Sequence, residues 1–268
     1  MNTKHTFVVC AYKESEYLEE CITSLLAQTV KSKIIVVTST PNEYIQNLVK
    51  KYKLEYYVNK GESGIVQDWN FGYSKAETPY ITIAHQDDVY EAGYVEQILN
   101  KLERSKHPLI AFCDYGEIRN GVKTTDVKML KIKKWMLMPL RNRLFQKSIW
   151  VRRRILSLGD PICCPSVTFA RDNIPNPVFL VRFRAAEDWQ AWERLSRLKG
   201  EFLYISRPLM YHRIHEESET SIIIGENVRT QEDYEMYCMF WPKPIAKLLV
   251  RFYAISQKSN NVKGDKSE

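Results

Sequence analysis

Residues 80–99 read YITIAHQDDVYEAGYVEQIL, and the order of residue types in this stretch decides the fold. Tyr80 to Ala84 are aromatic, β-branched or apolar, the composition of a buried strand. The run stops at His85-Gln86-Asp87-Asp88, and a helical pattern begins a few residues later. Two carboxylates at the tip of a buried strand are costly unless something offsets their charge. A divalent cation on Asp87 and Asp88 would do so. Mg2+ and Mn2+ take few carboxylates and complete their shell with substrate phosphates and water. The other reading is that one of the two aspartates caps the helix that follows.

Moving outward, the same unit recurs. HTFVVCAY predicts a strand and SEYLEECITSLLAQT a helix with Leu18, Cys21, Ile22, Leu25 and Leu26 on one face. KIIVVTS, EYYVN and LIAFCDYGEI are further strands; NEYIQNLVKKYK, GIVQDWNFGYSKA and YVEQILNKLERSK are further helices. A turn falls at Arg119-Asn120-Gly121. Strands alternating with helices at this spacing imply crossover units and a mainly parallel sheet. The second half is less regular. ICCPSVTFAR and EFLYISRPLMYHRIH are strand-like, AAEDWQAWERLSRLKG is a helix, and KPIAKLLVRFYAISQ is a basic amphipathic helix before a polar end. In open parallel sheets ligands bind at the carboxyl ends of strands. The candidates there are Ala11 and Tyr12 with Glu14, Thr38-Ser39, Asn59 to Gly61, and His85 to Asp88.

These segments together resemble the family 2 glycosyltransferases. The resemblance rests on VVCAYKESEYLEECITSLLAQT, KIIVVTSTPNEYI and DWNFGYSKAETPYITIAHQDD, with Ser24-Leu25-Leu26-Ala27-Gln28-Thr29 a close match to the family's first helix ending. It covers residues 5 to about 117 well and 160 to 220 more loosely. It implies the GT-A fold: a Rossmann-like α/β, mainly parallel sheet flanked by helices, here with a basic helical insertion and C-terminal helices. The implied division is a transferase domain over 1–222 and a helical tail over 223–268. Within the domain, 1–117 would bind the nucleotide sugar, 118–160 form the insertion and 161–222 supply the acceptor and catalytic half.

The resemblance also implies roles. Ala11, Tyr12 and Glu14 would contact the base and ribose. Thr38-Ser39-Thr40 stands where many members read uracil with an Asp pair, and Gln67, Asp68 and Asn70 flank base and sugar. His85, Gln86 and Asp87 would face the donor, with His85 where many members have the first Asp of an Asp-x-Asp motif. Asp87 and Asp88 would hold Mn2+ or Mg2+. Glu187-Asp188 resembles the acidic pair whose Asp is the general base, as direct displacement requires; Glu187 is expected to turn away, and a negative helix start is the alternative. YHRIHEESETS, residues 211–221, resembles a stretch that returns to the active site, with His215 on the metal or diphosphate, Arg213 assisting and His212 structural.

The chain has 268 residues with 44% hydrophobic and 12% aromatic content, enough for a real core. Six cysteines show no metal-ligand spacing and read as small buried hydrophobes in a reducing compartment. No apolar run is long enough for a transmembrane helix. The expected location is cytoplasmic, with possible peripheral attachment to the cytosolic face of a membrane. Net charge is +7, favouring anionic partners. Residues 123–154 hold eleven Lys/Arg against Asp126 alone, interleaved with Trp135, Trp150 and many aliphatics, and Pro139 should break them into two helical pieces. Such a segment suits an anionic membrane surface; a core-packed pair with a solvated basic face is the alternative. Nucleic acid is a weaker fit because no recognised motif accompanies the charge.

The expected activity is inverting, metal-dependent transfer of a sugar from a nucleotide diphosphate donor, a UDP-sugar, to a glycan or lipid-linked glycan of a surface polysaccharide. The rival readings are a nucleotide-sugar-binding protein without catalysis and a basic membrane-surface scaffold.

Overall fold

The computed structural model describes residues 3–215 and 228–257. Residues 216–221 of the His215 stretch, the expected domain boundary at 222 and the polar end lie outside them.

Among the described residues, nine strands form one sheet: β1 His5–Cys10, β2 Lys33–Thr38, β3 Glu55–Val58, β4 Tyr80–His85, β5 Val89–Tyr90, β6 Pro108–Arg119, β7 Val122–Thr124, β8 Val167–Ala170 and β9 Glu201–Ile214. Their order is β3-β2-β1-β4-β8-β6-β9-β5, with β7 paired to β6. The first four are parallel, as their apolar runs require. The second half is mixed: β8 runs against both β4 and β6, while β9 is parallel to β6. ICCPSVTFAR becomes a strand only from Val167, because Pro165 starts a tight 3-10 turn over Cys164–Ser166. β6 and β7 close through Asn120 and Gly121, both at positive φ (49° and 78°), the backbone that a two-residue hairpin needs.

Helices cover both faces. In chain order they are α1 Leu18–Leu26, α2 Glu43–Tyr52, α3 Ile65–Lys75, α4 Tyr94–Leu102, α5 Lys128–Leu137, α6 Arg143–Gln146, α7 Ile149–Leu156, α8 Glu187–Ser196, α9 Val228–Cys238 and α10 Lys243–Gln257. Successive strand residues feed opposite cores. Phe7, Val9, Ile34 and Val36 pack under α1, α2 and α4. Val8, Ile35, Ile81 and Ile83 pack under α3, α7 and α8, where Met236, Tyr237 and Ala246 of α9 and α10 join the same core. Gly72 lets α3 sit close on the sheet: a Cβ there would lie 2.4 Å from Val8 Cγ1.

Pro139 divides the basic insertion as expected, and a 3-10 turn follows α5 over Met138–Arg141. Part of its charge is internal. Arg152 is buried, and its guanidinium donates to the carbonyls of Ser196 (2.8 Å), Gly200 (2.7 Å) and Leu198. It thereby caps the open carbonyls at the end of α8. Burial pushes its guanidinium down to about 10. All six cysteines are free thiols, and all are buried or half-buried.

Candidate active site

The tips of β1 and β4 are joined side by side. The Tyr12 N–H donates to Gln86 Oε1 (2.9 Å), and Gln86 Nε2 returns a bond to the Tyr12 carbonyl (3.1 Å). The Gln86 amide therefore imitates one more rung of the ladder. Ala11 is buried, and its N–H donates to the Val37 carbonyl (2.9 Å). Lys13 follows in the left-handed region (φ 53°), a costly conformation for a residue with a side chain. Its N–H is held by Thr40 Oγ1 at 2.6 Å. The bend leaves the side chains of Tyr12 and Glu14 exposed on the rim.

Beside this rim lies a polar cluster on the β2 and β3 ends. Asp68 of α3 accepts from Ser39 Oγ (2.7 Å) and Asn59 Nδ2 (2.8 Å). Thr38 is buried, and its hydroxyl accepts from the Thr40 N–H (3.0 Å). Gln67 is half-buried beside Gly64. Asn70 turns elsewhere: its amide exchanges two hydrogen bonds with the backbone of Phe179, at 2.8 and 3.2 Å. It fixes a loop against α3 in the structure. Trp69 packs on Phe179 on one side and stacks on the His85 ring on the other, with centroids 5.2 Å apart in the latter pair.

The centre of the site is the end of β4. Donor atoms of His85, Asp87 and Asp88 all lie within 4.8 Å of one another. Asp88 is fully buried, yet its Oδ2 has no hydrogen-bond partner among the described residues, nor does His85 Nε2. Orphaned buried acceptors of this kind fit a bound cation. Asp88 Oδ1 is held by His212 Nδ1 (2.9 Å) and by the Arg213 N–H (3.1 Å). His215 Nε2 lies 2.9 Å from Asp87 Oδ2, one hydrogen bond behind the three-residue cluster. Arg213 donates to the Asp87 carbonyl (3.0 Å) and to Glu20, and lies over the Tyr17 ring. Burial alone would raise Asp87, but its bond from His215 and the nearby His212 and His85 hold it below the usual carboxylate range. Burial alone would discharge His212, but the Asp88 carboxylate holds it up at about 9.

β9 delivers these groups from far along the chain. β5 pairs antiparallel with it, Val89 facing Tyr211, so His212 and Arg213 arrive beside Asp88. Gln28 braces the same turn: its amide accepts from the Val95 N–H (3.0 Å) and donates to the Glu91 carbonyl (2.8 Å). The glutamine that ends the first helix motif thus orients the chain just after the aspartates.

A second acidic centre opens α8. Asp188 sits in the first turn with its Oδ1 on the Trp189 N–H (2.7 Å). Asp160, which the sequence pattern did not single out, is buried beside it. Burial and then the Asp188 charge push the Asp160 carboxyl well above its usual range, with a hydrogen bond to Asp188 adding to the shift. Glu187 is also buried, and the same two causes push it up to about 8. Lys133 of the insertion lies within the field of Asp160 and bonds the Tyr115 hydroxyl (3.0 Å). The backbone N–H groups of Arg184, Ala185 and Ala186, just ahead of α8, all donate to Glu232 of α9, at 2.8, 2.7 and 3.1 Å. The Cys163 thiol is raised by burial and then by the charges of Asp88 and Asp188.

Comparisons with known proteins bear on the fold and the family. The family model for glycosyl transferase family 2 matches residues 6–163. A Haemophilus influenzae protein described as an uncharacterized glycosyltransferase is 24% identical over 242 residues, 83% of this chain and 69% of its own length. Among solved structures, Staphylococcus aureus TarS 1-349 superposes with a TM-score of 0.60 at 13% identity, covering 99% of this chain and 76% of that one. It has also been solved with UDP-GlcNAc (TM-score 0.59, 15% identity, 98% and 74% coverage). A mannosyltransferase from Pyrobaculum calidifontis, in complex with GDP-Man and Mn2+, gives 0.61 at 13% identity, covering 96% and 70%. These likenesses establish a GT-A fold, and with a family model that matches more than half of its length, the chain belongs to glycosyl transferase family 2.

Proposed function

We propose that this protein is an inverting, metal-dependent glycosyltransferase that moves one sugar from a nucleoside diphosphate donor, a UDP-sugar, to a glycan or lipid-linked glycan acceptor in surface polysaccharide synthesis. The observation that carries the reading is the His85, Asp87 and Asp88 cluster with its orphaned buried acceptors at the tip of β4, with a second acidic group, Asp188, at the start of α8.

The rim of Ala11, Tyr12 and Glu14 would take the base and ribose, with Ser39, Asn59 and Asp68 closing its far side. Asp87, Asp88 and His85 suit Mn2+ or Mg2+, the imidazole favouring the softer Mn2+. A divalent cation bound there would neutralise charge on the departing diphosphate. His215 and Arg213 fix Asp87, and His212 fixes Asp88.

Asp188 is the residue for proton removal. The acceptor hydroxyl oxygen attacks the anomeric carbon, its proton passes to Asp188, and the bond to the diphosphate breaks with the electron pair leaving on the nucleotide. The arrangement of the second centre favours this role. Burial and the Asp188 charge push the Asp160 and Glu187 carboxyls upward, toward their protonated forms.

The test is a thermal-shift panel of nucleotide sugars with and without Mn2+, repeated on Asp87→Asn. A ligand of the folded state raises the melting temperature by mass action. A UDP-sugar should stabilise the wild type in the presence of Mn2+ and leave Asp87→Asn nearly unmoved. Equal stabilisation of both proteins removes the metal from the reading.

A further inference from the structure

We propose that the surface built from α5, α6, α7 and α10 is a docking face for a phospholipid bilayer with anionic headgroups. This goes beyond the sugar-transfer reading.

The face is apolar and exposed where a water-surrounded protein would be polar. Trp135, Trp150, Leu144 and Phe252 are 68, 69, 73 and 64% exposed. α7 and α10 meet around one loop. Trp241, just ahead of α10, donates to the Ser157 carbonyl (2.8 Å), and the Asp160 N–H donates to Tyr253 of α10 (3.4 Å). The Arg154 guanidinium lies over both Trp150 and Trp241. This loop also carries Asp160, so the face adjoins the second acidic centre.

α10 shows the design most plainly. Ala246, Leu249, Val250 and Tyr253 turn inward and pack on the core. Ile245, Leu248 and Phe252 form a second apolar stripe that is exposed, and Lys243, Lys247 and Arg251 form a basic one. Three helix faces with two of them apolar are not needed to pack one helix on one core. Apolar side chains beside Lys and Arg suit the boundary between headgroups and acyl chains.

Charge decides the occupant. Residues 128–156 and 243–257 contain thirteen Lys/Arg and no Asp or Glu. Arg152, Arg153 and Lys133 are engaged inside the protein, which leaves Lys128, Lys147, Arg154, Lys243, Lys247 and Arg251 among the exposed cations. A second copy would present the same positive face and be repelled. Nucleic acid would meet the cations but offer no apolar phase for Leu144, Leu248 and Phe252. An anionic bilayer answers both features.

The test is flotation of the full chain with phosphatidylglycerol–phosphatidylcholine vesicles, against pure phosphatidylcholine. The protein should float with the anionic vesicles at low salt, with affinity falling about tenfold or more at high salt as the charges are screened. Leu248→Ser with Phe252→Ser, and separately Lys247→Glu with Arg251→Glu, should each weaken flotation about tenfold or more, with unchanged melting temperature and donor binding. Indole emission should shift to the blue on adding anionic vesicles, and Trp135→Phe with Trp150→Phe should remove most of the shift. Three results overturn the proposal: no flotation with anionic vesicles at low salt, flotation indifferent to these substitutions, or vesicle-free dimerisation abolished by the same substitutions. None depends on turnover, so failure here is distinct from failure of the transferase reading.

Discussion

His212 Nδ1 stands 2.9 Å from Asp88 Oδ1, across 124 residues of sequence. The contact makes the last strand of the sheet responsible for a carboxylate on the fourth. Asp88 is fully buried, so its charge depends on that imidazole and on the Arg213 N–H. Removing one partner of a buried pair leaves an uncompensated charge. His212→Ala should therefore destabilise the fold by about 3 kcal/mol in urea denaturation. Mn2+ should restore part of the loss, since a cation on Asp88 replaces the missing charge. A variant as stable as the wild type would show that His212 does not support Asp88.

Asp188→Asn should keep donor-dependent thermal stabilisation and lose transfer by on the order of a hundredfold or more, as expected when a general base is removed. Asp160→Asn should cost much less, because the amide can still donate a hydrogen bond to Asp188. Single-turnover measurements on both variants separate the roles. A larger loss for Asp160→Asn than for Asp188→Asn would exchange them.

The parts of this architecture that follow from local pattern were legible in the sequence. The strands β1 to β4 announce themselves by continuous apolar runs, and Asp87 and Asp88 by where such a run stops. Asn120-Gly121 gave the hairpin because few other dipeptides tolerate two positive φ values. What local pattern lacks is the partner at a distance. Nothing around Asp160 distinguishes it from an ordinary turn aspartate; only the fold lays it against Asp188. Arg152 read as one of a solvated basic series, yet three carbonyls at the end of α8 hold it inside. Asn70 sits in the segment that the family resemblance assigns to the donor, and its amide holds Phe179. Glu232 lies in a helix with no motif, and its task is set by three N–H groups some 46 to 48 residues earlier.

His5 connects stability to pH. It is fully buried between Ser32 Oγ and Thr82 Oγ1, both at 2.9 Å, and burial holds its imidazole down at about 3. The unfolded chain returns it to about 6.5. Between these values the unfolded state binds the extra proton, so stability falls as pH drops below about 6.5 and is complete above it. The contribution lost between pH 7 and pH 5 is about 2 kcal/mol. Urea titrations of wild type and His5→Gln at the two pH values should show that difference in the wild type alone. An equal acid loss in both would assign the acid sensitivity to other groups.

The last expectation concerns how the catalytic loop is held. Glu232 of α9 accepts from the backbone N–H groups of Arg184, Ala185 and Ala186, the chain that leads into α8 and Asp188. These donors lie just ahead of α8, and a carboxylate there also meets the positive end of the helix dipole. Glu232→Ala leaves all three unsatisfied in a buried setting and should cost about 2–4 kcal/mol. Glu232→Gln still offers one acceptor oxygen and should recover about half. The donor rim on β1 and β4 is held by its own Tyr12–Gln86 bonds, so Mn2+-dependent donor binding should survive in Glu232→Gln while turnover falls, as Asp188 loses its fixed position. If donor affinity and turnover fall together in that variant, the C-terminal helices support the whole site and not the α8 carboxylate in particular.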